Sequence, residues 1–398
     1  MSLKVLIVHN RYRQSGGEDT VVMNETALLK SNDIEVVEYI EDNKNLLGLS
    51  PWQIFVNTIW SNETYKNVTK LLRQFKPDVV HCHNTFLRIS PSVYYACKEH
   101  RVPVVQTLHN YRLLCPAALF YRSGRICEEC HGKVFPWPAL IHGCWHDSRL
   151  HTMVPVTLLT VHRYLQTWQN QVDVYVALTE VGKQKFISGG IPKEKVVVKP
   201  NFTWDPGYQI RKREDYVLYV GRLSREKGIY TLLDAWLSLS NIPLKIVGSG
   251  PLLHHVQEFK RKNELECIEI VHQRPHSEVI EMIRSARFLV VPSECYESFP
   301  MAIVESFSCG TPVVAPKLGS MGEIISDGVT GLLFEPANSS DLALKIRWAW
   351  CNQKEMLNLG FAARQEYERK YSPEKNYQML LDIYEKTING KIGNDTCS

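Results

Sequence analysis

The chain has 398 residues, 44% of them hydrophobic and 22% charged, the composition of a soluble globular protein long enough for about two domains. Its net charge of +4, from 46 basic and 42 acidic residues, gives no basis for a nucleic-acid groove. The N-terminus lacks a signal-peptide pattern, no run approaches ~18 apolar residues, and eleven cysteines without such a signal point to a reducing compartment, the cytoplasm.

In chain order, "LKVLIVHN" reads as a short buried strand. It runs into a loop ending in Gly16-Gly17, and a helix follows over about 18–30. Two glycines before a helix let backbone approach a ligand at a positive helix end. They do not form the dinucleotide fingerprint, because no G-x-G-x-x-G follows. Next comes the strand "IEVVEY", then "SPWQIFVNTIW", where Trp52, Phe55, Val56, Ile59 and Trp60 share one helical stripe. The stripe suits an interfacial helix, but the opposite face lacks Lys and Arg, so a core-facing helix is the expectation.

"PDVVHCHN", "VPVVQTLHN" and "VDVYVALTE" are further short β-branched strands, the last passing through Thr179, a good N-cap, into a helix. Between the second and third lies a segment at about 111–150 that reads as neither strand nor helix. It holds Cys115, Cys127, Cys130 and Cys144, a set suited to a structural, closed zinc site. His131, His142 or His146 could replace one sulfur; separate free thiols and a Cys127/Cys130 redox pair are the alternatives. "EKVVVKPNF" closes this half near residue 203, and the polar "TWDPGYQIRKRED" reads as a linker.

The alternation then restarts: "DYVLYVGRL", "PLKIVGSGP", "CIEIVHQ", "RFLVVPS" and "TPVVAPK" are strands separated by helices, up to about 375, and a helical tail covers about 339–390. Near-continuous apolar strands alternating with helices imply two doubly wound α/β domains with parallel sheets, residues 1–203 and 204–375, followed by a C-terminal helix at 376–398. Ligands in such sheets sit beyond the carboxyl ends of the strands, and a cleft between two domains is the default site.

One strand end carries "ECYESFPMAIVESFSCG", with Glu297 in a loop and Glu305 on a short helix from about Pro300 to Cys309. Glu305 lies about 7–8 Å further along the helix axis, at ~1.5 Å per residue. The helix start, near Ser298, Phe299, Pro300 and Met301, would favour a phosphate while the carboxylates grip hydroxyls. Taken alone, Glu305 on a short helix is more often a solvated or capping residue. "YVGRLSREKG" places Arg222 and Lys227 at another strand–helix junction. A leaving diphosphate needs a metal or fixed cations, and the sequence has no Asp-x-Asp to hold a metal. "IVGSGPL" (Gly248, Gly250) comes nearest to a dinucleotide motif and lacks its third glycine, which disfavours a nicotinamide dehydrogenase.

With these pieces in order, nearly the whole chain resembles the retaining glycosyltransferases of family 4, of the GT-B fold. The motifs are Gly16-Gly17, "TLHN" with His109, "GRLSREKG", "GSGPL" and the E-x7-E pair. The resemblance implies that Arg222 and Lys227 hold the diphosphate of a nucleoside-diphosphate sugar donor. It also implies that Glu305 binds ribose, that Glu297 and the amides of 299–301 meet the donor sugar, that Gly17 approaches the diphosphate, and that His109 faces the reacting sugar. Transfer with retention and without a catalytic metal would follow, onto a saccharide or lipid-linked saccharide acceptor in cell-surface polysaccharide synthesis, with peripheral membrane contact as an option. The C-terminal helix would cross back to the first domain, and the cysteine loop marks a subgroup. Ser298 and Pro300 depart from frequent family glycines, Pro300 removing one amide donor, and Ser320-Met321 stands where a second glycine is frequent. A nucleotide-sugar epimerase of the same fold and a non-catalytic nucleotide-sugar-binding protein are the other readings.

Overall fold

The computed structural model describes residues 3–12, 16–46, 48–208 and 213–390. Part of the expected linker, residues 209–212, therefore lies outside the described residues. Through the first half the chain forms β1 (Lys4–Arg11), α1 (Gly17–Ser31), β2 (Glu35–Asp42), α2 (Pro51–Ile59), α3 (Asn62–Phe75), β3 (Val79–Asn84), α4 (Ser92–Glu99) and β4 (Val104–Thr107). It continues with β5 (Tyr121–Arg122), β6 (Arg125–Ile126), α5 (Trp137–His142), α6 (Arg149–Tyr164), α7 (Thr167–Asn170), β7 (Val174–Ala177), α8 (Glu180–Ser188) and β8 (Val196–Val198).

The second half holds β9 (Val217–Val220), α9 (Ile229–Trp236), β10 (Leu244–Val247), α10 (Leu253–Lys262), β11 (Ile268–Val271), α11 (His276–Ser285), β12 (Phe288–Val290) and α12 (Met301–Ser308). It ends with β13 (Val313–Pro316), α13 (Gly319–Ile324), β14 (Gly331–Phe334), α14 (Ser339–Cys351), α15 (Gln353–Lys370) and α16 (Pro373–Ile388).

Two compact units result. The first contains residues up to 120, 128–201 and from 376 on; the second contains 121–127 and 202–375. In the first unit a six-stranded sheet has the order β2-β1-β3-β4-β7-β8. In the second the order is β11-β10-β9-β12-β13-β14. Every pairing in both sheets is parallel. Strand order reverses between β1 and β3 in the first unit and between β9 and β12 in the second, so loops after these strands open a crevice for a ligand.

The first core joins Val5 and Ile7 of β1, Val79, Val105 and Val176 to Leu380, Ile383 and Tyr384 of α16. The second gathers Val217, Tyr219, Leu232, Trp236, Ile246, Phe288 and Val314, with Trp236 donating its indole N–H to the Ile242 carbonyl at 2.9 Å. Each large side chain so buried contributes about 1.5–3 kcal/mol.

Three local expectations are revised. The 111–150 segment is not wholly irregular: it contains the hairpin β5–β6 and the helix α5, and α6 begins at its end. Two-residue strands and a one-and-a-half-turn helix are too short to show a period in sequence. The strand β14, "GLLF", carried no reading either, since a four-residue apolar run after a turn gives no alternation. Finally, α2 does not bury its stripe: Trp52 is 70% and Val56 41% exposed, while Thr58 turns inward and donates to the Ile54 and Leu87 carbonyls.

Candidate functional site

In the second unit the loops after β9 and β12 meet at the switch point. Lys227, closing a one-turn 3-10 segment before α9, sends Nζ to Glu297 Oε1 at 2.5 Å. Burial opposes the ammonium charge, but the Glu297 carboxylate beside it more than offsets this and holds the Lys227 pKa above its ordinary value. Glu297 is fixed twice more. Ser293 Oγ donates to Oε1 at 2.7 Å, and Ser320 Oγ, from the first turn of α13, donates to its backbone carbonyl at 2.6 Å. The Ser320 hydroxyl thereby braces the loop.

Arg222 follows β9 in the same loop, exposed, and its guanidinium makes no hydrogen bond or ion pair with the described residues. An unpaired guanidinium at the mouth of a switch-point crevice is free to take an anion bidentately. Gly248 and Gly250 do a different job locally. A Cβ on Gly248 would lie 2.0 Å from the Gly221 carbonyl oxygen, and one on Gly250 would lie 2.5 Å from that of Leu223. Both also have φ in the positive range, 148° and 155°. These glycines let the loop after β10 lie flat on the Arg222 loop, sealed by Leu223 N–H to Ser249 O at 2.8 Å.

The helix α12 starts at Met301 with Pro300 as N-cap, and Cys309 ends it before Gly310 at φ 64°. Its first-turn amides point back toward Ser298 and Phe299, the positive end of the helix. Phe299 is buried edge-on against Tyr371. Glu305, nearly buried on α12, receives His276 Nε2 at 3.0 Å from the start of α11. That hydrogen bond to a carboxylate raises the His276 pKa, against its partial burial. His276 had no reading in sequence, since nothing in "HQRPHSE" ties it to a glutamate 29 residues on. The hairpin β5–β6 also belongs to this unit: Tyr121 donates to Glu294 Oε2 at 2.7 Å, and Thr231 donates to its Oε1 at 2.6 Å.

The first unit gathers the other predicted residues. Gly16 caps α1 and donates its N–H to Asp19 Oδ2 at 3.1 Å, while Asp19 Oδ1 holds His9 Nε2 at 2.7 Å. Gly16 and Gly17 are exposed, and residues 13–15 of their loop lie outside the described residues. His109, two residues past β4, stacks on His83 with ring centroids 5.2 Å apart and its Nε2 2.9 Å from His83 Nδ1. Burial lowers the His109 pKa to about 3, so it is neutral. Asn110 beside it donates to Glu18 Oε1 at 2.6 Å.

Behind His109 lies a buried polar network that sequence reading missed. Glu25 on α1 meets Lys199 Nζ at 3.2 Å and His81 Nδ1 at 3.1 Å; Lys199 also meets Asn376 Oδ1 at 3.0 Å. Burial works against its charge, yet Lys199 and His81 hold the Glu25 carboxyl well below the usual range. The signal was present in "VVHCHN": polar residues two apart at the end of a fully buried strand point to the same face. Glu25, His81 and His83 place ligand atoms within 4.8 Å of one another. The Lys199 ammonium, however, already neutralises the carboxylate that a metal ion would need.

Of the cysteines, Cys130 and Cys144 share a small cluster with Ala139 and Val156, and Cys115 is buried. Cys127 falls in the segment that joins the second unit. None of the four is in a disulfide, and no three of their sulfurs lie within 4.8 Å of one another.

Two family descriptions match successive parts of the chain: Glycosyltransferase Family 4 over residues 15–203 and Glycosyl transferases group 1 over residues 201–366. The chain is 36% identical over 172 residues to an uncharacterized glycosyltransferase of Methanocaldococcus jannaschii, covering 43% of this chain and 48% of that protein. It is 25% identical over 270 residues to a GDP-mannose-dependent alpha-mannosyltransferase of Corynebacterium glutamicum, covering 68% and 58%. The chain thus spans about half the length of these curated relatives. Among solved structures, sucrose-phosphate synthase from Thermosynechococcus elongatus superposes with a TM-score of 0.70 at 17% identity, over 98% of this chain and all of that one. Anabaena HepE, crystallised with UDP and glucose, gives 0.68 at 18% identity over 96% and 100%. The fold, two parallel-sheet α/β domains, is GT-B.

Proposed function

We propose, from the premise that this chain is of the glycosyltransferase family 4 type with one family domain in each half, that it is a retaining glycosyltransferase using a nucleoside-diphosphate sugar. The observation that carries this reading is the switch-point loop of the second unit, where Lys227 is bonded to Glu297 and the Arg222 guanidinium has no partner among the described residues. A diphosphate arriving there meets one free guanidinium and one ammonium held positive, with the α12 amides beside it. As the sugar–phosphate bond breaks, these fixed donors stabilise the charge on the leaving oxygen. Glu305 accepts from the ribose hydroxyls, displacing His276, and Glu297 faces the sugar. His109 also contacts the sugar.

Fixed cations and the missing Asp-x-Asp support transfer that needs no catalytic metal. Anabaena HepE binds UDP and glucose, and the mannosyltransferase relative is GDP-mannose-dependent, so UDP and GDP sugars are the donors to try first. The acceptor is a saccharide or lipid-linked saccharide for a cell-surface polysaccharide, and the protein works in the cytoplasm. The exposed Trp52 and Val56 of α2 support peripheral membrane contact, and no helix among the described residues is long and apolar enough to span a membrane. We also carry structural zinc at Cys115, Cys127, Cys130 and Cys144 as a proposal; their sulfurs are not gathered as they stand, and metal analysis of the purified protein decides it.

The test is thermal stabilisation by UDP, GDP, CMP and NAD, repeated with Glu305→Ala. A shift with one nucleoside diphosphate, reduced in the variant, supports the reading and names the donor base. Stabilisation by NAD alone, or by no nucleotide in the presence of saccharide acceptors, overturns it. Transfer should survive EDTA; rapid loss reversed by Mg²⁺ would end the metal-free mechanism.

A further inference from the structure

The buried network of the first unit has more order than structural support requires. Glu25 Oε1 lies 4.0 Å from His83 Nε2, and that nitrogen, fully buried, has no hydrogen-bond partner. The other ring nitrogen of His83, Nδ1, faces His109 Nε2 at 2.9 Å. A neutral imidazole carries one N–H and one lone pair, so between two neutral rings one proton must sit in the shared contact, and its side decides both tautomers.

The surroundings choose the side. Glu25 is a buried carboxylate, kept ionised by Lys199 at 3.2 Å and by His81 Nδ1 at 3.1 Å. A lone pair on His83 Nε2 aimed at this negative oxygen would be repelled; an N–H would be attracted, at low dielectric where such differences are large. The proton of His83 therefore sits on Nε2. His83 Nδ1 is then a lone pair and accepts from His109 Nε2–H. That leaves His109 Nδ1 as a lone pair, and it makes no hydrogen bond with the described residues. His81 does not compete for His83: its Nε2 meets Thr107 Oγ1 at 2.7 Å and its Nδ1 meets Tyr384 OH at 2.7 Å.

We propose that Glu25 and His83 are positioning residues which fix the tautomer of His109, so that His109 presents Nδ1 as a hydrogen-bond acceptor to a ligand hydroxyl. The inference rests on the proposed function for the identity of that ligand, a sugar, but not for the tautomer itself. Its consequence is a polarity of recognition. His109 accepts from a hydroxyl and cannot donate to a phosphate or carbonyl oxygen through the same nitrogen, so the partner at this point is a hydroxyl donor.

The tautomer can be read in the wild-type full-length chain. Histidine is labelled with ¹⁵N, long-range ¹H–¹⁵N correlations are recorded near pH 7.5, and His109 is assigned by its loss in His109→Gln. The expected pattern is protonated Nε2 and pyridine-type Nδ1 for His109, and the same for His83. A protonated Nδ1 on His109 overturns the inference. The second measurement compares His83→Gln with His83→Leu. The glutamine amide oxygen can still accept from His109 Nε2–H, whereas leucine cannot. In the leucine variant the two His109 nitrogens should average between tautomers and turnover should fall about tenfold, the value of one hydrogen bond, with donor KM little changed. Glutamine should restore the wild-type pattern and bring turnover back to within about threefold. An unchanged His109 pattern in His83→Leu overturns the inference. The two readings fail separately: absence of any nucleotide binding removes the proposed function and leaves the nitrogen pattern standing, while transfer with an inverted pattern removes only the positioning role.

Discussion

The two units use their charged residues in opposite ways. In the second unit the charges at the switch point are half-open: among the described residues Lys227 has one partner, Arg222 has none, and His276 over Glu305 keeps more than half of its side chain in solvent. In the first unit the charges are sealed. Glu25, Lys199 and His81 are at most 1% exposed, with Lys199 3.2 Å from Glu25 Oε2 and His81 3.1 Å from Oε1, which makes no hydrogen bond among the described residues. Charges left near water can exchange a partner for a ligand at small cost, whereas charges taken out of water are committed to each other. The contrast is in keeping with the proposal that the second unit takes the diphosphate and that His109 of the first accepts from a hydroxyl.

The largest expected effect separates activity from stability in the second unit. Lys227→Ala should lower transfer turnover by about 100- to 1,000-fold, as loss of one donor to a developing oxyanion does. Because the pair is partly in solvent, the melting temperature should hardly move. Steady-state rates with the donor found by thermal shift, and calorimetry on the same sample, check both halves. Unchanged turnover would remove Lys227 from the diphosphate site and break the comparison at its stronger end.

In the first unit the same kind of change should do the reverse. Glu25→Gln leaves Lys199 buried without its counter-charge, which costs about 3–5 kcal/mol. Adding Lys199→Met removes the stranded ammonium and should recover much of that loss. Denaturant titration followed by a first-unit probe, such as Trp168 fluorescence, reads this. If Glu25→Gln unfolds no more easily than wild type, the first-unit network is not committed as described.

How much of this was legible depends on where each signal is stored. The strand–helix alternation, Thr179 as N-cap accepting from Gly182 N–H, and the α12 boundaries at Pro300 and Gly310 are local, and a few neighbouring residues specify each. Glu297, Glu305, Arg222 and Lys227 were marked by the strand ends they follow. Lys227 and Glu297 are 70 residues apart, and only the pairing of β9 with β12 brings their loops together. The Glu25–Lys199 bond spans 174 residues and His81–Tyr384 spans 303, and no single stretch of sequence holds either. At Gly248 and Gly250 the sequence shows a missing side chain but not what lies against it; in the fold a Cβ there would meet the backbone of Gly221 and Leu223.

The third effect is a pH dependence, and its sign follows from burial. The His109 pKa falls from the ordinary histidine value to about 3, so below pH ~6.5 the unfolded chain takes up this proton before the folded chain does. Stability is full above that range and is lost as pH falls toward 3, by about 1–2 kcal/mol between pH 7 and pH 5. The depressed Glu25 pKa adds a loss of the same sign at still lower pH, below the ordinary carboxylate range. Melting temperatures across pH 7 to 5 test it. Burial also holds the His83 pKa well below its ordinary value, so His109→Gln should make the curve shallower without flattening it, and a profile that the substitution leaves unchanged would show that other groups carry the dependence.

The smallest effect bears on how the half-open site keeps its shape. Ser320 is 1% exposed, and its hydroxyl donates to the Glu297 carbonyl at 2.6 Å, while Ser293 and Lys227 hold the Glu297 carboxylate. Ser320→Gly removes one of three restraints. One hydrogen bond is worth about 1 kcal/mol, and Glu297 keeps two, so turnover should fall by about two- to fivefold with stability reduced by about 1 kcal/mol. If the glycine variant loses stability but keeps its full rate, the carboxylate is positioned by Ser293 and Lys227 alone, and the backbone of the loop is free to move during transfer. If rate and stability fall together, the loop carbonyl is part of the positioning, and the second unit, open as it is to solvent, orients its sugar-facing carboxylate as firmly as the first unit orients His109.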